Sequence, residues 1–374
     1  MSNESITNRP LRPSGRPPLR RALPVLVVQV LVAMAVAGAF AGLYIGLQQA
    51  PTPHHLPVAV VGSELADAAS AALGGSADVH AVDSAAAARA LVRSHDVVAA
   101  LVPGADGSTL AVAGADGRSA TGAATAMLTR VADAGGVPVT RTQDIVPLVA
   151  ADGQGIAGFY LVFGTTLAAF VLAQIMNSLG ALAGLRVRVV VTVIGSIAAA
   201  VVVAVIAGPV DGAVPAATGV VIGVLALLAV AVSLSTLAVT ALLGPIGVVV
   251  STLVFTTLGN ATSGATVSTH LLPPLLSAVG GALPPGAAFG AVTAASYFDG
   301  AGTARALLTL GLWIVGATIV VSATAARRRR RELTLTTPAR TADGRSRSTR
   351  STAARAEASD RAAVAVGDPQ DSRS

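Results

Sequence analysis

The chain has 374 residues, of which 53% are hydrophobic and 12% charged, and its mean hydropathy is +0.71. Soluble domains carry about a quarter charged residues, so this composition excludes an ordinary soluble protein and indicates an integral membrane protein. All 25 basic residues are arginines, most of them near the two ends, and 3% of residues are aromatic, which argues against nucleic-acid binding. Because the chain contains no cysteine, we expect no disulfide, thiolate metal site or lipoprotein anchor.

An arginine- and proline-rich tail, residues 1–21, precedes the first apolar stretch, residues 22–47. A helix needs about 20 apolar residues to cross the hydrocarbon core, whereas the apolar part of a signal peptide has only about 7–15. We therefore predict an uncleaved first span. Gly38, Gly42 and Gly46 share one face of it. Such glycine ridges let helices pack closely in lipid, which predicts a helix-packing face within this chain or between two chains.

Residues 48–155 form the long hydrophilic segment that follows. Apolar strand-like runs alternate there with helical segments, which predicts a small α/β domain. The predicted strands are residues 58–62, 78–82, 96–103 and 137–141, and the predicted helices are 64–73, 84–94 and 119–134. A hairpin-like pair is expected around Asp106–Gly107 and Asp116–Gly117.

The α/β domain shows no catalytic constellation. Its ten acidic residues are scattered, mostly at turns and helix starts, and Asp83 is interpreted as a helix N-cap. His54, His55, His80 and His95 lack metal-ligand spacing with a carboxylate. We predict structural or solvated roles for these groups, no enzyme activity, no metal and no cofactor.

A membrane domain is predicted at residues 156–326. Its spans are residues 156–182, 187–207, 216–240, a shorter fifth span at 242–258, and 303–326, which gives six transmembrane helices in all. The first five spans contain no charged residue in their cores, which argues against a transporter with its own proton coupling. Without lysine the chain has no Walker A motif, so ATP-driven transport requires a separate ATPase subunit.

The arginines orient the chain, since basic residues in short loops stay in the cytoplasm. Arg186 and Arg188 lie in the tight turn between the second and third spans, and five arginines at 327–331 follow the sixth. Six spans place these clusters and both termini in the cytoplasm of a multi-pass cell-membrane protein, with residues 48–155 outside. The tail, residues 327–374, is predicted to be disordered, and its arginine run to bind anionic membrane lipid or simply to fix the topology.

A broken segment, residues 259–302, separates the fifth and sixth spans on the outer side. It is uncharged over its first half but is interrupted by proline, and irregular backbone at membrane depth must be buried in protein or line a cavity. We predict two short helices, residues 271–279 and 287–296, that dip into or lie along the outer leaflet, with a plain extracellular loop as the alternative. Its marker residues are Asn260, Ser263, Pro273, Pro274, Pro284 and Pro285.

Two stretches carry a family resemblance: "DIVPLVAADGQGIAGFYLVFGTTLAAFVLA" at residues 144–173, and "LGPIGVVVSTLVFTTLGNATSGATVSTHLLPPLLSAVGGALPPGAAFGAV" at residues 243–292. With the helix–strand run "DSAAAARALVRSHDVVAALV", they resemble the type-2 ABC exporter permeases. The nearest likeness is to the YhgE/Pip-like (phage infection protein-like, DUF3533-like) branch and its actinobacterial integral membrane proteins. The resemblance spans residues 23–326.

The resemblance implies a homo- or heterodimeric permease. It implies coupling to a cytoplasmic ATPase subunit through the turn that contains Arg186 and Arg188. An uncharged membrane domain favours a lipid-like or amphipathic substrate. The alternative is a non-transporting envelope protein whose outer domain binds a partner, scaffold or phage.

Overall fold

The computed structural model describes residues 19–49 and 51–336. Most of these residues are helical, and a five-stranded sheet follows the first helix. The chain divides into two compact units, one ending at Val321 and the other beginning at Ser322. Residues 1–18 of the predicted N-terminal tail and 337–374 of the predicted C-terminal tail lie outside the described residues.

Among the described residues, five helices are long and apolar enough to cross a membrane, which indicates a membrane-embedded protein. They are α1 (Leu19–Gln49), α5 (Ala157–Ser178), α6 (Leu185–Val205), α7 (Thr218–Leu243) and α11 (Thr303–Thr336). Each coincides with a predicted span. Helix α6 continues into a π-helical turn, Ile206–Val210, and α11 includes the arginines at 327–331.

The predicted fifth span differs at its start. Helix α7 continues through Leu243 and ends at Gly244, whose φ of 62° is in the left-handed region that glycine adopts most easily. Pro245 then begins a new helix, α8 (Ile246–Ala261), which is shorter than the five long helices and contains a π-helical stretch, Thr252–Leu258. The boundary between the two helices therefore lies at Gly244–Pro245, a few residues later than the boundary at residues 240–242 that the apolar pattern predicts.

The broken segment contains two helices, α9 (Pro274–Ala282) and α10 (Pro284–Tyr297), which are bent by 80° relative to each other. Prolines start both helices, because a proline in the first turn sacrifices no intrahelical hydrogen bond. Both predicted helices are confirmed, with shifted ends. Helix α10 packs on α5 and α7 through a shared apolar core that includes Leu161, Leu228 and Ala291.

The α/β domain forms one mixed sheet. Its strands are β1 (Leu56–Val61), β2 (Ala77–Val82), β3 (Ala99–Val102), β4 (Ser108–Val112) and β5 (Val139–Asp144), and its helices are α2 (Ser63–Leu73), α3 (Ala85–Arg93) and α4 (Arg118–Ala134). The strand order is β2-β1-β3-β4-β5, with β3 and β4 antiparallel and the other neighbours parallel. The predicted strands and helices are present.

Two local predictions in this domain need correction. The hairpin turn at Asp106–Gly107 joins β3 to β4, but Gly114–Asp116 forms a 3-10 turn instead of a second hairpin. The N-cap of α3 is Ser84 and not Asp83: the Ser84 hydroxyl accepts a hydrogen bond of 3.2 Å from the Ala87 amide. A serine one residue nearer the helix reaches the free amide that the aspartate cannot.

The two faces of the sheet are covered differently because side chains alternate along a strand. Val58 and Val60 face α2 and α4 in one apolar core. Ala59, Ala100 and Ala111 face the other side, where α3 and Phe298 cover them. Phe298 lies just after α10, so a residue of the broken segment completes the second core of the α/β domain.

Candidate functional site

The α/β domain contacts the broken segment and the start of α5 over a surface that we call the junction. The His54 amide donates a hydrogen bond of 2.8 Å to the His270 carbonyl. The Ser268 amide donates one of 3.0 Å to the Ser119 hydroxyl oxygen. Both bonds join residues that are far apart in sequence, so the broken segment is fastened to the domain by its backbone.

Phe298 anchors the same surface from the side of α10. It is 2% exposed, and its ring stacks on the His95 imidazole. His95 Nε2 lies 2.7 Å from Asp116 Oδ1, and the Asp116 side chain is 6% exposed. His95 has a left-handed φ of 66°, which a non-glycine residue adopts at some cost. The ring stack and the contact with Asp116 hold it in that conformation.

His270 adds a third titratable group to the junction. Burial lowers the pKa of His270 from its ordinary value of 6.5, and the nearby His95 lowers it further, while Asp116 and Asp78 act in the opposite direction. The imidazole of His270 is therefore neutral near pH 7. Asp116, His95 and His270 thus come together at the junction, although no local sequence pattern connects them.

The linker that enters α5 is fastened to the start of α4. Asp152 is 9% exposed, and its Oδ1 accepts hydrogen bonds of 3.0 Å from the Ile156 amide and 3.1 Å from the Ala157 amide. These bonds cap the first turn of α5. The Arg118 guanidinium donates a 3.0 Å hydrogen bond to the Gly153 carbonyl. The linker is therefore bonded both to the start of α4 and to the first turn of α5.

A cavity of about 230 Å³ lies at the junction. Five parts of the chain line it: the end of α1, the start of α4, the linker to α5, the loop after α8, and α10. The lining residues are Gln48, Ala115, Asp116, Gly117, Arg118, Ser119, Leu148, Gln154, Gly155, Ile156, Gly264, Ala265, Thr266 and Phe289. We call it the junction cavity.

Asn260 and Ser263, two of the predicted marker residues, are buried in the turn that ends α8. The Asn260 amide nitrogen donates hydrogen bonds of 3.0 Å to the Phe255 carbonyl and 3.2 Å to the Thr256 carbonyl. Those carbonyls belong to the π-helical stretch, whose irregular hydrogen bonding needs other donors. The Ser263 hydroxyl donates to the Asn260 carbonyl at 2.7 Å. Both side chains therefore satisfy backbone groups at the end of α8.

Glycines allow the broken segment to pack backbone against backbone. A Cβ at Gly280 would lie 2.0 Å from the Thr262 carbonyl oxygen, and one at Gly286 would lie 2.2 Å from the Gly280 carbonyl oxygen. A Cβ at Gly259 would lie 3.0 Å from the Pro285 ring. Pro284 and Pro285 are themselves buried. The segment is thus packed into the protein, which favours dipping helices over a plain loop.

The predicted coupling arginines differ in their surroundings. The Arg188 guanidinium donates a hydrogen bond of 2.9 Å to Asn177 Oδ1 and folds back over Gly180. Arg186 is exposed. Leu182, in the same turn, is 85% exposed, an unusual position for a large apolar side chain. Arg186 and Leu182 are therefore both exposed at this turn, whereas Arg188 stabilises the turn itself.

The glycine face of α1 has no neighbour among the described residues. A Cβ at Gly38, Gly42 or Gly46 would meet no described atom within 4 Å. A different face of α1 carries Tyr44, whose ring lies 6.4 Å from that of Phe159 on α5. Within the described chain, α1 therefore packs through its aromatic face and leaves the glycine face open.

A second cavity, of about 360 Å³, lies between α7 and α11. Its lining is almost entirely apolar and comprises Ser235, Ala238, Val239, Leu242, Leu312, Trp313, Gly316, Ala317 and Val320. The Trp313 indole N–H is already bonded to the Ala282 carbonyl at 2.8 Å. The groove suits a hydrocarbon chain, and its lining contains no charged side chain.

Among residues 19–49 and 51–336, no group of three or more acidic, histidine or cysteine side chains is arranged to hold a metal ion. Comparisons of the chain with protein-family models, curated proteins and solved structures found no match.

Several junction residues escape sequence reasoning. His270 and Phe298 have no motif, and their partners lie more than a hundred residues away in the chain. One signal was available: Arg118 and Asp116 flank Gly117 directly before a predicted helix, where charged side chains often serve a ligand or a neighbouring element.

Proposed function

We propose that this chain is the permease-type membrane subunit of an ABC exporter, which moves a lipid-like or amphipathic substrate across the cytoplasmic membrane while a separate subunit hydrolyses ATP. The junction carries the proposal: the α/β domain is bonded to the broken segment, and α10 of that segment packs on α5 and α7. Such an arrangement links an outer domain to the helices that would rearrange during transport. The sequence resemblance to type-2 exporter permeases adds support.

In the proposed topology α1, α5, α6, α7, α8 and α11 cross the membrane and the bent pair α9–α10 dips in from outside. Helix α8, at 1.5 Å per residue, is about 24 Å long, slightly short of a core of about 30 Å. The 80° bend and the proline starts of α9 and α10 disfavour a single crossing by that pair. If α8 and the α9–α10 pair each crossed the membrane once, the chain would have seven spans. The arginines at 327–331 would then lie outside, against the positive-inside rule.

The turn between α5 and α6 is the proposed contact for the ATPase subunit. Exposed Leu182 and Arg186 present an apolar group and a positive charge together, a combination common at protein interfaces. An acidic, apolar-lined groove on the ATPase would complement it. Arg188, bonded to Asn177, supports this turn from behind.

The cavities and the charge distribution support the proposed substrate class. The groove between α7 and α11 is apolar, while the junction cavity combines charged and apolar walls. No Asp, Glu, Lys or Arg lies in the sequence from Thr218 to Ala261, which covers α7 and α8. These helices therefore offer no ion relay of the kind that ion-driven transporters use. An amphipathic molecule matches both surfaces.

One observation favours the alternative, a non-transporting envelope protein whose outer domain binds a partner, scaffold or phage. The inner turn contains only a 3-10 turn, Leu179–Ala181, between α5 and α6, which is short for an ATPase-coupling element. In this alternative the α/β domain is the functional part and the helices serve as its anchor.

Purification of the full-length protein from its native membranes tests the two functions. The transport proposal expects a Walker-motif ATPase to co-purify and the complex to hydrolyse ATP. Arg186→Glu combined with Leu182→Ser should abolish that association, whereas Arg141→Glu on β5, exposed and distant in sequence from the turn, should not. A wild-type preparation with neither ATPase nor ATP hydrolysis would support the alternative.

A further inference from the structure

We propose that the junction cavity binds the zwitterionic head of an amphiphile, with an ammonium group beside Asp116 and an anionic group beside Arg118. The inference rests on the proposed function for its amphipathic substrate class and adds a site and a head-group chemistry. The cavity is enclosed by α1, the α4 start, the α5 linker, the loop after α8 and α10. A ligand there would therefore touch every element that the junction joins.

The negative wall of the cavity is Asp116. Its side chain is 6% exposed, and its Oδ1 pairs with His95. Among the described residues its Oδ2 has no hydrogen-bond partner. Buried carboxylate oxygens nearly always have a donor, so the incompletely paired carboxylate behind this wall favours a nearby ammonium group.

The positive wall is the first turn of α4. Arg118 is exposed and donates one hydrogen bond, to the Gly153 carbonyl. Gly117 occupies the N-cap position of this 17-residue helix and provides no side-chain cap. Free amide groups at a helix N-terminus favour an anion, especially beside a guanidinium. A phosphate or carboxylate group fits this wall.

The two charges argue for a zwitterion over a simple ion. In the described structure Asp116 pairs with His95 and Arg118 bonds to a carbonyl, so the two side chains do not neutralise each other. A purely anionic head would gain nothing from the Asp116 carboxylate, and a purely cationic head would be repelled by Arg118. Both charges are satisfied together when one ligand carries both.

The rest of the lining mixes polar and apolar side chains, which suits an amphiphile. Leu148, Ile156 and Phe289 are its large apolar members. The volume of about 230 Å³ is below the 300–1,000 Å³ typical of sites that enclose whole drug-sized ligands. The cavity therefore accommodates a head group and the first carbons of a chain.

The absence of cysteine makes a site-specific test possible. Gln154, exposed at the cavity wall, is replaced by Cys and labelled with an environment-sensitive fluorophore in the detergent-solubilised full chain. Titration with dihexanoyl-phosphatidylethanolamine should give a saturable change. Dihexanoyl-phosphatidylglycerol, which lacks the ammonium, and free phosphoethanolamine, which lacks the chains, should each bind at least tenfold more weakly. The same label at Asp67→Cys on α2 should show no change.

Two charge variants then locate the ligand. Arg118→Gln and Asp116→Asn should each weaken binding at least fivefold, while Arg130→Gln, on the same helix but outside the cavity lining, should leave binding unchanged. If Asp116→Asn fails to fold, Ala265→Trp, which fills the cavity from the loop after α8, replaces it and should also abolish the signal.

The proposal is overturned if phosphatidylglycerol or phosphoethanolamine binds as tightly as phosphatidylethanolamine, if none binds, or if the cavity variants bind like the wild type. Failure of the site and failure of the proposed function can be told apart. An ATPase that co-purifies while the fluorophore reports no lipid refutes the site alone. Saturable, variant-sensitive binding without any ATPase supports the site and refutes the exporter.

Discussion

The imidazole ring of His95 lies flat on the phenyl ring of Phe298, with ring centroids 3.9 Å apart and planes inclined by 7°. His95 precedes β3 in the α/β domain, and Phe298 follows α10 in the broken segment. Because Phe298 is also buried against the alanine face of the sheet, a side chain of the broken segment belongs to a core of the α/β domain. The contact between the two parts therefore contributes to the stability of that domain.

Replacing Phe298 by Ala should lower the free energy of unfolding by about 3–5 kcal/mol, the usual cost of removing a buried phenyl ring. The loss should appear as a lower thermal midpoint and as faster proteolysis of the linker around residues 145–155. Tyr160→Ala is the control, since that ring is 61% exposed and its removal should cost less than about 0.5 kcal/mol. Equal losses for the two variants would show that Phe298 does not anchor the domain.

His270 should make stability depend on pH. Its pKa is lowered by burial in the folded protein, so the unfolded chain binds a proton more readily. The contribution of neutral His270 is fully present above its unfolded pKa of about 6.5 and declines as the pH falls below that value, until both states are protonated. His270→Gln should therefore flatten the fall in thermal midpoint between about pH 7 and pH 5.

The charged surroundings of His270 are the same in the two proteins being compared. Asp116, His95 and Asp78 are its charged or titratable neighbours, and they are present in both the wild type and the His270→Gln variant. His80→Gln is the matched control, because His80 is exposed on β2. If the thermal midpoint of His80→Gln depended less on pH than that of His270→Gln, the pH response would belong to His80 and not to His270.

Local patterns in the sequence predict much of this fold. Alternation of strand-like and helical runs yields the α/β elements, and apolar length yields the five long helices, because both depend on neighbours within a few residues. The start of α8 and the cap of α3 were misplaced by a few residues, since Gly244, Pro245 and Ser84 act through backbone geometry that hydropathy does not record.

The junction lies beyond local patterns for a physical reason. His95 meets Phe298, and Ser119 meets Ser268, across more than a hundred intervening residues. These contacts depend on how the sheet packs on the broken segment, and the residue types alone do not predict them. Arg186 and Arg188 illustrate the same point. The sequence gives no reason to distinguish them, but Asn177 binds Arg188, whereas Arg186 is exposed.

Two adjacent glycines on α9 give a matched test of the packed broken segment. Gly280→Ala would place a Cβ 2.0 Å from the Thr262 carbonyl oxygen, whereas Gly281→Ala would meet nothing within 4 Å among the described residues. The first variant should lower the thermal midpoint, with an overpacking cost of about 1–3 kcal/mol. The second should be neutral or slightly stabilising, since alanine favours a helix over glycine by about 1 kcal/mol. A tolerated Gly280→Ala would contradict close packing of α9 on the end of α8.

The open glycine face of α1 predicts a dimer between two copies of the chain. Gly42 has no described atom within 4 Å of a Cβ position, so Gly42→Leu should leave the folded monomer intact, while a bulky side chain would hold two α1 helices apart. In native-membrane nanodiscs, wild-type chains labelled at Asp67→Cys should show energy transfer between copies, and the Gly42→Leu chain should lose most of it at an unchanged thermal midpoint. Gly164→Leu on α5 introduces the same side chain at another glycine with no described neighbour within 4 Å, and it should retain the transfer. Undiminished transfer in Gly42→Leu would place the dimer interface elsewhere, and a lowered midpoint would show that the glycine face packs within the chain.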